Sequence, residues 1–201
     1  MSSQGFDELA ILMKNRIYLN LGCGYRHMPG YINLDHDPLC NPDVVWEAGE
    51  PLPYSANSIY EINLTHSLEH MGETVESYKN LWQEFYRVLQ PGGFARIAVP
   101  HHLHPYFHND PTHVRKVVPD ALKLFSQKFN KECIEQGNAA TTLGLQWGID
   151  FDLIETRYAL EDDFREAWKG LPMEHIHHLV ARTNGACIEV QMVLKAVKDH
   201  E

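Results

Sequence analysis

Two stretches of this 201-residue chain carry residue types that could do chemistry. The first is "IYLNLGCGYRHMPGYINLD" (17–35), in which two apolar runs flank a Gly-Cys-Gly turn and the second ends on an aspartate. Two glycines let a backbone approach a ligand closely, and a carboxylate ending a strand can accept hydrogen bonds from both hydroxyls of a ribose. A dinucleotide fingerprint would also need a third glycine, and an acidic residue about 20 positions on. His27 stands where that glycine should be, and Asp35 arrives eleven residues after Gly24. So short a gap leaves no room for a crossover helix of ordinary length, and with it goes the helix N-terminus that would anchor a pyrophosphate. A ligand without phosphate fits the loop better than NAD.

The second stretch is "VPHHLHPYFHNDPTHVR" (99–115). His101, His102, His104, His108, Asp110 and His113 admit three readings: a Zn, Mn or Fe site, a base with substrate-orienting groups, or solvated loop histidines. The second is preferred, with His101, His102 and His113 as the catalytic candidates; a metal is possible but not favoured. Asp110-Pro111-Thr112-His113 also reads as a turn held by its aspartate. The "EHIHH" cluster (174–178) reads as a helix face near the site rather than a ligand set. Cys23, inside the glycine turn, is disfavoured as a nucleophile.

These residues need a scaffold. "RIYLNL" (16–21), "YINLD" (31–35), "DVVWE" (43–47), "SIYEINLTHS" (58–67) and "FARIAVP" (94–100) read as five strands. "GETVESYKNLWQEFYRVLQ" (72–90) is an amphipathic helix with Val75, Tyr78, Leu81, Trp82, Phe85 and Leu89 at helical spacing, stopped by Pro91-Gly92. A further helix is expected over 119–136, mostly helical structure over 161–182, and late strands over 151–160 and 187–197. Residues 6–14 have helical periodicity, and 101–118 read as a loop. Strands alternating with crossovers predict a mostly parallel α/β sheet.

Composition narrows the function. A formal net charge of -10 leaves no basic face for bulk nucleic acid. The four cysteines are scattered without a CxxC pair, and there is no signal-peptide pattern, so a cytoplasmic location is expected. No apolar run approaches the roughly 20 residues of a membrane span.

Taken in order, Leu19-Asn20-Leu21-Gly22-Cys23-Gly24, Pro29-Gly30-Tyr31-Ile32-Asn33-Leu34-Asp35, Pro51-Leu52-Pro53-Tyr54, Ala56-Asn57-Ser58, Ser67-Leu68-Glu69-His70, Arg87-Val88-Leu89-Gln90-Pro91-Gly92-Gly93 and Val99-Pro100 form a series. With "NDPTHVR" (109–115), this series resembles the class I S-adenosylmethionine-dependent methyltransferases, in particular a compact bacterial and phage-type group. The resemblance spans roughly residues 17 to 125. It implies a single Rossmann-like domain whose seven-stranded sheet has the order 3-2-1-4-5-7-6, with helices on both faces and a shortened first crossover. Residues 1–16 would be an N-terminal helix or arm, 17–100 the cofactor-binding half, and 101–201 the substrate side with its closing β-hairpin.

The resemblance further implies S-adenosylmethionine as cofactor, with S-adenosylhomocysteine as product. Leu21, Gly22, Cys23 and Gly24 would back its methionine end, Asp35 with His36 its ribose, Glu47 and Ala48 its base edge, and Thr65 and His66 its border. His70, Asp110 and Arg115 are the candidates for substrate contact. The expected reaction is methyl transfer to an oxygen of a small molecule or glycan. N-methylation of a small amine or peptide, and a non-catalytic cofactor-binding scaffold, stay open. No Asp/Asn-Pro-Pro-Tyr/Phe follows the fourth strand, which disfavours amino-methylation of adenine or glutamine.

Overall fold

The structure, a computed structural model, describes residues 16–198. The helical reading of 6–14 lies outside them. Seven strands, β1 (Ile17–Leu21), β2 (Ile32–Asp35), β3 (Val44–Val45), β4 (Ile59–Thr65), β5 (Leu89–Pro100), β6 (Phe151–Leu160) and β7 (Cys187–Ala196), form one sheet in the order β3-β2-β1-β4-β5-β7-β6. The pairings among β1 to β5 are parallel, while β7 runs antiparallel to both β5 and β6. That is the sheet order expected from the sequence.

Helix α1 (Val75–Val88) joins β4 to β5. Thr74 and Ser77 cap its start reciprocally, and its inward stripe of Tyr78, Leu81, Trp82, Phe85 and Val88 is buried. Val75, counted with that stripe in the sequence, is 72% exposed because it falls in the first turn, on the solvent side. The stripe packs on Leu19, Leu21, Ile62, Leu64 and Ile97 from one face of the sheet. Trp82 is the hub, with ring centroids 4.7 Å from Phe125 and 5.4 Å from Phe151. No helix of the described residues is long and apolar enough to cross a membrane.

The helix expected over 119–136 is broken into α3 (Pro119–Lys123) and α4 (Gln127–Glu135), following the short α2 (Pro105–His108). Ser126 interrupts it by capping α4 through Phe129 N. The carbonyls of Leu124 and Phe125 are taken from outside, by the amides of Gly144 and Phe151. Tertiary partners therefore claim the groups that a continuous helix would have used. Helix α5 (Leu143–Trp147) completes this layer, and α6 (Asp162–Ala167) with α7 (Met173–Val180) fills the connection between the last two strands.

Residues 22–31, between β1 and β2, contain no helix. Three asparagines hold this crossover instead. Asn20 lies directly opposite Asn33 of β2 and Asn63 of β4. Asn63 Nδ2 donates to Asn20 Oδ1, and Asn20 Nδ2 donates to Asn33 Oδ1, both at 3.0 Å. Asn20 Nδ2 also reaches the Arg26 carbonyl, and Asn33 Oδ1 accepts from Met28 N. Asn33 in turn donates twice to Asp43 Oδ2, before β3. All three asparagines are buried, on the sheet face opposite the core.

That face mixes polar side chains with the ring contacts Tyr18–Tyr31, Tyr18–Tyr60 and Tyr60–Phe94. It carries a Tyr31–Glu61–Arg96 chain and a hollow of about 290 Å³ lined wholly by residues of β4, β5, β6 and β7.

Asn20→Ala would strand the amide of Asn63 and free the 22–31 loop. It is expected to cost about 1–3 kcal/mol in urea unfolding, whereas a loss under about 0.5 kcal/mol, the scale of a neutral surface change, would show that the ladder does not hold the loop.

Candidate functional site

A cavity of about 590 Å³ opens at the carboxyl ends of β1, β2 and β4, where parallel sheets present their loops. Gly22 and Gly24 form one wall. Gly22 has φ +66°, and a Cβ there would lie 2.5 Å from Ser67 Cβ, so conformation and close approach both demand glycine. Gly24, also left-handed at φ +48°, has open space where its Cβ would be. Its amide donates to Asp35 Oδ2 at 2.7 Å, while Asp35 Oδ1 accepts from Asp37 N at 3.0 Å. The Asp35 carboxylate is thus pinned at the cavity wall, with lone pairs left over on both oxygens.

The opposite wall comprises Trp46, Glu47 and Ala48, with His36, Asp37 and Cys40 alongside. Ser67, Met71, His66, His70 and Thr112 close the far end. Among the described residues no lysine or arginine lines the cavity, whereas three carboxylates do. Ser67 Oγ is buried there without a hydrogen-bond partner.

His66, at the end of β4, adopts φ +53°. Its Nε2 lies 2.7 Å from Glu189 Oε2, and its Nδ1 3.7 Å from Glu69 Oε1. Glu189 first, then Glu69, raises its pKa from the ordinary 6.5 to about 9, so the ring is an imidazolium at neutral pH.

No protein-family model and no curated protein matches the sequence. Solved structures do match in shape. A SAM-dependent methyltransferase from Archaeoglobus fulgidus aligns over 94% of this chain and 91% of its own, at 14% identity and a TM-score of 0.57. The YcgJ protein from Bacillus subtilis aligns over 97% of this chain and 100% of its own, at 13% identity and a TM-score of 0.54. The [4+2]-cyclase SpnF aligns over 98% of this chain and 82% of its own, at 14% identity and a TM-score of 0.50. The chain has the class I methyltransferase fold. As the cyclase illustrates, the fold alone does not dictate the reaction.

Within this class I fold, the structure brings Gly22, Gly24, Asp35, His36, Glu47, Ala48, His66 and His70 to one cavity. Leu21 and Cys23 shape the turn but send their side chains elsewhere. Leu21 is fully buried in the core, and the Cys23 thiol is pushed up to about 11, by burial and then by Asp35. A thiolate nucleophile is not available there. Thr65 does not border the cavity: strand alternation turns it to the opposite face, where it bonds Asn63 and lines the smaller hollow.

The preferred catalytic histidines are not at the cavity. His101 is buried, accepts from Leu103 N and is held down to about pKa 4, chiefly by burial. His102 stacks on it with centroids 4.6 Å apart, its pKa lowered by burial first and then by Lys116. His104 caps α2 and bonds Glu161. His113 stands just behind the cavity, its ring against His70.

The substrate candidates divide in the same way. Arg115 hydrogen-bonds the Gly72 carbonyl and lies 3.8 Å over the Tyr78 ring, so it is a staple rather than a substrate contact. Asp110 holds its turn through Thr112 N and Oγ1, and those bonds lower its pKa. His177 faces Tyr158 and Asp120, away from the site. The residues the sequence did not single out are Asp37, Cys40, Trp46, Ser67, Met71 and Thr112. Ser67 and Thr112 stand inside the quoted motifs and Asp37 lies two residues after one, but nothing in the spacing marks Cys40, Trp46 or Met71 as lining a ligand.

Two outcomes follow from this geometry. Gly22→Ala is expected to lose more than about 2 kcal/mol of stability through overlap and strain, and Gly24→Ala only about 1 kcal/mol; equal losses would contradict the close approach at Ser67. The contribution of His66 is fully present below its unfolded value of 6.5 and is lost as pH rises through about 9. Wild-type stability in urea should therefore fall across that window, and His66→Gln should flatten the slope.

Proposed function

We propose that this protein transfers the methyl group of S-adenosylmethionine to an oxygen of a small molecule or glycan. The observation that carries the reading is the cavity lining, in which three carboxylates and no lysine or arginine surround a two-glycine turn, with the His66 imidazolium at the far end. A pyrophosphate would meet three carboxylates there, with the single His66 imidazolium to offset them. A ligand with a sulfonium, an ammonium and a ribose diol finds acceptors instead. When bound, S-adenosylmethionine supplies a methyl group already activated on sulfur.

The chain's residues bind and orient. Asp35 presents its spare lone pairs to the ribose hydroxyls, with its geometry set by the amides of Gly24 and Asp37. Gly24 leaves open space for the amino-acid end, Gly22 lets the turn pack on Ser67, and the unpartnered Ser67 hydroxyl is the donor available to it. Glu47 and Trp46 flank the base side. Alignment of donor and acceptor of this kind contributes roughly 7–11 kcal/mol to such displacements. The acceptor's hydroxyl proton is handled at the His70–Thr112 end, since His101 and His102 do not reach the cavity and His66 is already protonated. A chain of this size and net charge of -10 suits a small neutral or cationic acceptor rather than bulk nucleic acid.

Calorimetric titration with S-adenosylmethionine should give one site per chain and none for NAD. Asp35→Ala should weaken it about 10- to 100-fold, the worth of one charge-assisted hydrogen bond. Binding of NAD alone would overturn the reading. If S-adenosylmethionine binds but S-adenosylhomocysteine never accumulates across a panel of alcohols, sugars, carboxylates and amines, the protein is a cofactor-binding scaffold.

A further inference from the structure

Behind the far end of the cavity stands a cluster that the cofactor does not use. Among the described residues, Glu69, His70 and His113 are the one group of three carboxylate, imidazole or thiol side chains whose ligand atoms all lie within 4.8 Å of one another. Glu69 is 1% exposed, yet neither carboxylate oxygen has a hydrogen-bond partner. Its nearest cation is the His66 ring, whose Nδ1 at 3.7 Å is too far for a hydrogen bond. A buried carboxylate in this condition is costly unless something else binds it.

Both imidazoles are prepared in the same sense. Thr112 Oγ1 donates to Asp110 Oδ1 at 2.6 Å, which leaves its oxygen to accept from His70 Nδ1, 2.9 Å away. His113 Nδ1 lies 2.7 Å from the Phe107 carbonyl, which can only accept. Each ring therefore carries a proton on Nδ1, so that in the neutral ring the lone pair is on Nε2; that atom of His113 lies 4.0 Å from Asp110 Oδ2, beyond hydrogen-bond reach. An Nδ1–H held by a neighbouring oxygen, with Nε2 unengaged, is the outer-shell arrangement that orients a metal-bound histidine. The two segments are also locked together, because the amides of Val114 and Arg115 donate to the Glu69 carbonyl at 2.9 and 3.1 Å.

We propose that Glu69, His70 and His113 bind one divalent first-row transition cation, of the Mn²⁺, Fe²⁺, Co²⁺ or Zn²⁺ class, at the wall of the cofactor cavity. Two imidazoles with one carboxylate suit that class, whereas Mg²⁺ and Ca²⁺ take oxygen ligands. Three protein ligands leave coordination positions for water or substrate. Since His70 and Thr112 line the cavity, an acceptor oxygen could reach such a position and lose its proton more readily. That last role rests on the methyl-transfer reading; the binding of the ion does not.

The test uses metal-free protein titrated with Mn²⁺ and with Co²⁺, followed by calorimetry and by the shift in melting temperature. One ion per chain and a rise in melting temperature are expected, because a ligand of the folded state stabilises it. Glu69→Gln and His113→Ala should each abolish the shift. Thr112→Val, on an exposed residue whose hydroxyl orients His70 and bonds Asp110, should weaken binding about 10- to 100-fold without unfolding the chain. Absence of saturable binding to the folded wild-type protein overturns the site, as does binding that Thr112→Val and His113→Ala leave unchanged. S-adenosylmethionine is titrated in parallel, so that cofactor binding without metal binding defeats this proposal and leaves the methyl-transfer reading standing.

Discussion

The asparagine ladder from Asn63 through Asn20 to Asn33 is the constraint on which the rest depends. Parallel neighbours such as β1 and β2 are usually joined by a helix that covers the sheet and fixes the loop by packing. Here no helix fills residues 22–31. The loop is instead fixed by hydrogen bonds from side chains that sit at matched register positions on three adjacent strands. Buried amides bonded in series are stiff, and leaving one unpaired is expensive. The glycine turn can consequently stand in one place without a helix behind it, and Gly24 can meet Asp35 at 2.7 Å.

The polarity of the site follows from what surrounds that turn. Asp35, Asp37 and Glu47 make one side of the cavity acidic, while Glu189 and Glu69 flank His66 and keep it charged. The imidazolium offsets part of the negative field at the end where chemistry would occur. Glu69 keeps its own oxygens unbonded, because His66 directs its closer nitrogen to Glu189. One side chain at the end of β4 thus links the cofactor cavity to the histidine–carboxylate cluster behind it.

Legibility in the sequence varied with the range of the interactions. The strands and α1 were readable because alternation and helical spacing are local, although α1 ends at Val88, and Leu89, Pro91 and Gly92 belong to β5, which starts five residues earlier than its alternation suggested. The break at Ser126 was not, because the carbonyls of Leu124 and Phe125 are claimed by amides of Gly144 and Phe151, far along the chain. Thr65 and His66 are adjacent in sequence yet face different cavities, since strand alternation separates them and only the sheet's register decides which face holds the ligand. The histidine-rich loop misled for a related reason. His101, His102 and His104 are conspicuous as a run, but the run folds inward against the Leu103 amide, one another and Glu161.

By itself, the sequence determined the order of the elements, the doubly glycine-bearing turn and its carboxylate, because each depends on backbone conformation and hydrophobic period within a few residues; the class I methyltransferase architecture came through the resemblance of its motif series. Only the tertiary structure decided which histidines meet. Glu69 and His70 come from the turn after β4, and His113 from the loop after β5; they converge because parallel strands deliver successive loops to the same edge of the sheet. The protonation sense of those rings was decided there as well, by the Phe107 carbonyl and the Thr112–Asp110 pair, groups that no spacing rule connects to a ligand.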